Sequence, residues 1–177
     1  MSRDSALALM IRQEHQRTLD LLNALDQSVR GRASRRPLDL RQAGERALLD
    51  RMIEGIDDEI LRHFAVEEAL VFPMVQESVG LDVVLMLIRE HEAIGSLASC
   101  LLAAARRAPD RPLDESEWRA FRDAAEAFID QETFHIQKEE AAVVGGLATL
   151  LTGEQDRAAA GRYRALCGLP AEDEDAG

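Results

Sequence analysis

The chain has 177 residues, of which 46% are hydrophobic and 4% aromatic, and this length fits one domain with a substantial core. Its content of Ala, Leu, Glu and Arg favours helix over sheet. A formal net charge of −12 excludes a nucleic-acid partner, because binding to phosphates depends on cationic side chains. The sequence contains no run of about 18 apolar residues, which excludes a membrane-spanning helix.

The first two helices are predicted from apolar residues that recur every three or four positions. The first runs from about Asp4 to Val29 and stops at Gly31. Asp39 and Gln42 resemble a capping box that opens the second helix. Pro73 marks the approach of its end, because proline has no amide proton to donate.

Two more long helices follow. The chain reverses near Gly80, and the third helix runs to about Ala108. Asp114 and Glu117 form a capping box ahead of the fourth helix, which we expect to reach about Leu150. Each of these helices has one apolar face.

Thr152 and Gln155 open a shorter fifth helix that ends near Cys167. Four long amphipathic helices with short connections predict an all-α fold, an up-down-up-down four-helix bundle with a short C-terminal fifth helix. We expect residues 1–169 to form the bundle and residues 170–177 to form a disordered acidic tail.

All four histidines belong to one duplicated pattern. His63 and Glu67 are one helical turn apart, and the same spacing returns 72 residues later at His135 and Glu139. Positions i and i+4 share a helix face, so each imidazole and its carboxylate can converge on one ion or on two adjacent ions.

The other two histidines, His15 and His91, each follow a glutamate and lie on the apolar stripes of the first and third helices. A single histidine in such a stripe is usually a hydrogen-bonded core residue. Counting residues from the helix ends places all four at about the same level of an antiparallel bundle. Burial of four imidazoles and two carboxylates would be costly without cations, which predicts a metal site.

Mixed imidazole and carboxylate ligation suits two first-row transition-metal ions, iron or manganese more than structural zinc. We expect two iron ions, with manganese or zinc as possible substitutes.

The motifs together resemble the hemerythrin-like family, also called the HHE cation-binding domain. The resemblance spans about residues 11–144 and rests on EH at 14–15, HFAVEEALVFP at 63–73, EH at 90–91 and HIQKEE at 135–140. It implies a four-helix bundle with a non-haem di-iron centre. It also implies that the four histidines are terminal iron ligands, namely His15, His63, His91 and His135. Glu67 and Glu139 would then bridge the two irons.

The sequence departs from the family pattern in two places. The second half has AAVVGGL where the first has ALVFPMV. Dioxygen-carrying members have a fifth histidine one turn from another on the third helix, whereas Leu87 and Gly95 flank His91 at that spacing. The resemblance therefore implies binding or sensing of dioxygen, nitric oxide or peroxide more than reversible oxygen carriage.

Two alternatives stay open: a di-iron oxidase or peroxidase with turnover, and an iron donor or storage protein for repair of iron centres. The redox-active side chains Trp118 and Tyr163 are expected to lie away from the level of the ligands. Several acids near the ligands could tune the site. We expect solvated faces for Glu14, Glu59, Glu68, Glu90 and Glu140, and leave the role of Glu132 open.

The cellular compartment is inferred from the N-terminus and the cysteines, and a partner is inferred from the positions of the arginines. The N-terminus lacks the pattern of a signal peptide, and Cys100 and Cys167 have no paired spacing, so we expect free thiols in the cytoplasm. Arginines gather where the first and third helices end, which predicts an acidic redox partner attracted to that end. They are Arg30, Arg32, Arg35, Arg36, Arg41, Arg106, Arg107 and Arg111.

Overall fold

A computed structural model describes residues 5–31 and 36–169, apart from the side chains of residues 58 and 59. All regular secondary structure within these ranges is helical, which confirms the all-α prediction. The predicted tail, residues 170–177, lies outside the described residues, as do Arg32 and Arg35. None of the described helices is long and apolar enough to cross a membrane.

The first helix, α1, spans Ala6–Arg30. The next stretch, residues 43–79, is helical throughout, and we call it the composite helix. It contains α2 (Ala43–Glu54), α3 (Leu61–Val66) and α4 (Phe72–Val79), joined by π-helical segments at Gly55–Ile60 and Glu67–Val71. The remaining helices are α5 (Leu81–Arg107), α6 (Glu115–Ala142), α7 (Leu147–Leu150) and α8 (Gly153–Leu166), with a 3₁₀ turn at Val144–Gly146.

Of the three helix starts predicted from capping residues, two are confirmed by their hydrogen bonds. Asp114 with Glu117 opens α6, and Thr152 with Gln155 opens α8, each as a complete capping box. The prediction at Asp39 was wrong, because the composite helix begins at Ala43. The Asp39 carboxylate instead accepts hydrogen bonds from the backbone and side chain of Arg41 within the preceding turn.

The predicted end of the fourth helix was also wrong. The helix stops at Ala142 rather than near Leu150, and the 3₁₀ turn follows. Gly145 and Gly146 fall in this turn, and glycine weakens an α-helix through its larger loss of backbone entropy on folding. The end of α6 therefore lies one turn beyond the predicted ligand Glu139.

Two apolar clusters make up the core. The Phe128 cluster includes Leu25, Ile56, Ala98 and Phe128. The Phe72 cluster lies elsewhere along the same helices and includes Leu7, Val71, Leu87 and Tyr163 as well as Phe72. α6 packs against both α1 and α5, and α8 packs against α1.

Each long helix contributes to both clusters. Along the chain, α1 and α5 contribute first to the Phe72 cluster and then to the Phe128 cluster, whereas the composite helix and α6 contribute in the opposite order. On α1, α5 and α6 the predicted ligands fall between the two contributions, and on the composite helix His63 and Glu67 flank the change from one cluster to the other. The fold therefore holds one polar layer between two apolar ones.

The junction between the composite helix and α5 depends on Gly80. Its φ of 93° lies in the region that residues with a Cβ rarely adopt, so glycine allows the sharp reversal there. Leu81 follows this turn directly and is 58% exposed.

Candidate metal centre

The structure brings all six predicted site residues together. Each side chain is buried, with the residue no more than 5% exposed. The composite helix contributes two of them, α6 contributes two, and α1 and α5 contribute one each. They are His15, His63, Glu67, His91, His135 and Glu139.

The six residues form two overlapping groups, in which the potential ligand atoms lie within 4.8 Å of one another. One group contains His15, His63, Glu67 and Glu139. The other contains Glu67, His91 and His135. Glu67 is common to both groups.

The two carboxylates each approach an imidazole from both groups. Glu67 lies 2.8 Å from His63 Nε2 through one oxygen and 3.6 Å from His91 Nε2 through the other. Glu139 Oε2 lies 3.3 Å from His15 Nε2 and 3.6 Å from His135 Nε2. This geometry allows both carboxylates to bridge two adjacent ions.

Several of these buried atoms have no hydrogen-bond partner among the described residues. They include Nε2 of His15 and His63 and all four oxygens of Glu67 and Glu139. Unpaired buried polar atoms of this kind are rare and usually indicate a missing partner such as an ion. The residues present therefore fit a pair of cations.

A second layer of carboxylates holds the other nitrogen of every imidazole. Each Nδ1 lies between 2.8 and 3.1 Å from a glutamate oxygen. The pairs are His15 with Glu140, His63 with Glu14, His91 with Glu68, and His135 with Glu90. Such a contact fixes the tautomer with Nε2 free for a metal and makes the imidazole a stronger ligand.

The prediction that these four acids form solvated faces was therefore wrong. Each is the sequence neighbour of a ligand, so it is turned by about 100° around the helix from that ligand. The ligand points into the bundle and its neighbour points toward the adjacent helix. The doublets EH and EE in the sequence mark these four acids. Their side-chain directions could not be predicted, because they depend on how the neighbouring helices pack.

The second layer closes into a ring. A carboxylate of α1 contacts the histidine of the composite helix, and a carboxylate of the composite helix contacts the histidine of α5. In the same way, α5 supplies a carboxylate to the histidine of α6, and α6 supplies a carboxylate to the histidine of α1. Every helix of the site thus orients the ligand of another. Glu59, the other acid considered, has its side chain outside the described residues.

Tyr163 was predicted to lie away from the ligands, and the structure places it beside them. Its side chain is fully buried, its hydroxyl donates to Glu14, and the same hydroxyl lies 2.9 Å from His63 Nδ1. It comes from α8, whose Asp156 accepts hydrogen bonds from Ser5 and Ala6 at the start of α1. Nothing local in the sequence indicates this contact, which depends on how α8 docks.

Glu14 is held as an anion. Burial acts to raise the pKa of Glu14, but the contacts with His63 and Tyr163 outweigh it and lower this pKa. The pKa of Tyr163 is raised by its burial and by the charge of Glu14, so its hydroxyl stays a donor. Of the four acids in the ring, Glu14 is the least exposed.

Glu132 lies one turn before His135 and is only 1% exposed. Burial raises its pKa to about 6, and its Oε2 has no hydrogen-bond partner among the described residues. It is the second buried carboxyl group on α6 beside Glu139, and it was not among the predicted ligands.

Aromatic rings close one side of the site. Phe64 stacks on His91 at a centroid distance of 3.9 Å, and Phe72 stacks on His91 at 5.5 Å. These contacts hold the imidazole plane and keep the surroundings apolar.

The charges of the site residues are strongly interdependent. Burial and the neighbouring Glu139 raise the pKa of Glu67 to about 7. Burial acts to lower the pKa of His135, but Glu139 and other carboxylates outweigh it and raise the pKa to about 9. Burial and the charge of His135 lower the pKa of His91 to about 3.

This arrangement defines a helical protein with a buried histidine and carboxylate metal site. The family model for the hemerythrin HHE cation-binding domain matches residues 7–161. The chain therefore belongs to the hemerythrin HHE family, which confirms the resemblance found in the sequence, and metal binding follows as the family's property. No significant match was found among curated proteins or among solved structures.

Replacing Glu14 by glutamine should weaken metal binding. The change keeps the volume but removes the charge that supports His63, and loss of such a partner typically costs about ten- to a hundredfold in affinity. Competition with a chelator would measure the affinity. The matched control is Glu77→Gln, on an exposed residue near the end of α4. Equal affinities in wild type and Glu14→Gln would contradict a supporting role for Glu14.

Metal binding should release protons and tighten as pH rises from about 6 to about 9. The raised pKa of His135 means that the metal-free imidazole holds a proton across this range, and the metal must displace it. Calorimetry in buffers with different heats of ionisation would count the protons released. Binding that is independent of pH and of buffer would show that the ligands are already neutral.

Proposed function

We propose that this protein holds two iron ions and uses them to bind or sense a small oxidant: dioxygen, nitric oxide or peroxide. The proposal rests on the two groups of potential ligands, which have Glu67 in common. Glu139 also lies close to an imidazole of each group, His15 in one and His135 in the other. One ion would take His15 and His63, and the other His91 and His135.

Iron is the metal that the ligand set favours. Imidazole and carboxylate donors suit iron or manganese, while structural zinc prefers closed tetrahedral sites. The described cysteines Cys100 and Cys167 are free and do not belong to either group. Manganese or zinc could occupy the same positions.

Each ion would be held by two imidazoles together with the carboxylates of Glu67 and Glu139. Iron bound there would supply redox chemistry and would have room for an external ligand. The chain's own residues orient the imidazoles through the ring of carboxylates and exclude bulk water. They also limit access to small molecules, because every ligand is buried.

Reversible oxygen carriage is less well supported. Leu87 is fully buried and Gly95 has no side chain, so neither supplies the fifth imidazole found in carriers. With similar imidazole sets, the two irons should both be open to reaction. Reduced protein should therefore oxidise in dioxygen instead of holding it reversibly.

A di-iron oxidase or peroxidase is the second candidate, and Tyr163 favours it. A buried phenol in contact with both Glu14 and His63 is placed to pass an electron and a proton between itself and the site. Iron donation has less support, since release of iron would require access to six buried ligands.

We also propose an up-down-up-down order for α1, the composite helix, α5 and α6. The alternating order in which they contribute to the two clusters supports it. A cytoplasmic location is a proposal that the two free cysteines support.

An acidic redox protein at the arginine-rich end stays a prediction. Described arginines of this end are paired with acids: Arg36 with Glu45, Arg41 with Asp39, Arg106 with Asp57, and Arg107 and Arg111 with Glu117. This pairing reduces the charge available for attracting a partner.

Protein expressed with added iron should contain two irons per chain. Glu67→Ala should lower the occupancy of both positions, because a bridge serves both, whereas His15→Ala should remove mainly one. Elemental analysis with Mössbauer spectroscopy would distinguish the positions, and Glu154→Ala, at an exposed position of α8, is the control. A single tightly held zinc, with no second ion after iron supplementation, would contradict the proposal.

Dioxygen consumption by the reduced, iron-loaded protein should separate the two candidate functions. A binding or sensing protein should consume dioxygen once in proportion to its iron. Consumption over many cycles with added reductant would favour an enzyme. In that case Tyr163→Phe should slow turnover while the iron content stays unchanged.

A further inference from the structure

A groove runs along the surface between α5 and α6, next to the metal centre. Its cavity volume is about 490 Å³, within the range of about 300–1,000 Å³ that is usual for small-molecule sites. Apolar side chains form much of its wall, among them Met86, Ile94 and Phe134.

Phe134 is unusual in being 60% exposed, and Met86 beside it is 37% exposed. Large apolar side chains grouped on a surface often mark a binding site. Phe134 immediately precedes His135 in sequence, so it shares the level of the metal site but points in another direction.

The groove is separated from the site by one side chain. Glu90 lines the groove and also lies 3.1 Å from Nδ1 of His135 through its Oε2. Its other oxygen accepts a hydrogen bond from Lys138, which lines the groove as well. A molecule in the groove would therefore lie next to the carboxylate that orients a metal ligand.

The charges of the groove favour a negatively charged ligand. Both acids that line it are matched by cations, Glu90 by Lys138 and Asp130 by Arg30. Arg89 also lines the groove and forms no ion pair with any residue in the described ranges. The groove thus offers an apolar wall and one cation without a counter-charge.

We propose that this groove binds a small, flat aromatic anion that acts as the electron donor to the metal centre. The inference rests on the proposed function, because an iron centre that reacts with an oxidant must be reduced again. The donor in its hydroquinone form loses two electrons and two protons and becomes the quinone. Each iron accepts one electron, and the protons leave to water at the open face of the groove.

Binding can be tested on the full-length protein as isolated, whatever its metal content. The probe is anthraquinone sulfonate, a flat quinone with one negative charge, and its neutral counterpart is hydroxymethyl anthraquinone. Calorimetry should show that Phe134→Ala weakens both by about tenfold, through loss of the aromatic contact. Arg89→Ala should weaken only the sulfonate. Leu166→Ala and Arg119→Ala, at exposed positions on α8 and α6, should change neither.

Electron delivery is tested on the iron-loaded protein. The rate at which the reduced sulfonate reduces the iron should saturate with its concentration, and Phe134→Ala should shift saturation to higher concentration. Reduction by dithionite should be the same in both proteins.

Three outcomes would overturn the inference. One is equal affinity of wild type, Phe134→Ala and Arg89→Ala for the sulfonate. The second is a reduction rate that does not saturate and is unchanged in the variants. The third is sedimentation showing a wild-type dimer that Phe134→Ala dissociates, since a second copy of the chain would then cover the groove. The binding result does not depend on metal, so failure of the proposed function would be seen separately, in the iron content.

Discussion

The structure depends on how four imidazoles and two carboxylates can be buried together. Removing charged groups from water costs several kcal/mol for each, and the cost is offset only by opposite charges and well-placed hydrogen bonds. In this protein the ring of outer carboxylates satisfies Nδ1 of every histidine, while Nε2 of His15 and His63 and the oxygens of Glu67 and Glu139 stay without hydrogen bonds. Cations at the centre would satisfy these remaining atoms, and the two apolar clusters enclose the polar layer.

The grouping of the six predicted site residues could be read from the sequence because it depends on distances along single helices. His63 with Glu67, and His135 with Glu139, share a face at the spacing of one turn, and the levels of His15 and His91 follow from counting residues. Capping boxes at Asp114 and Thr152 are equally local, and both were predicted correctly. Features set within a single helix could therefore be predicted.

The features that were missed depend on contacts between helices. Glu14 and Glu68 looked like surface residues because their direction is defined only when the adjacent helix is in place. Tyr163 lies 100 residues from His63 in sequence, and α8 brings the two together. The end of α6 at Ala142 was misjudged because the apolar pattern continues past two glycines.

The two π-helical segments of the composite helix define where the chain can lose a residue. A π turn holds one residue more than the α turn that it replaces, so loss of one residue there could restore an α turn and leave the flanking residues on their faces. A deletion within Gly55–Ile60 could therefore leave His63 and Glu67 in the polar layer. A deletion between His63 and Glu67, within the α-helical turn of α3, would turn the residues beyond it by about 100° and separate the two side chains. The tolerance of this helix to a change of length therefore depends on where the change falls.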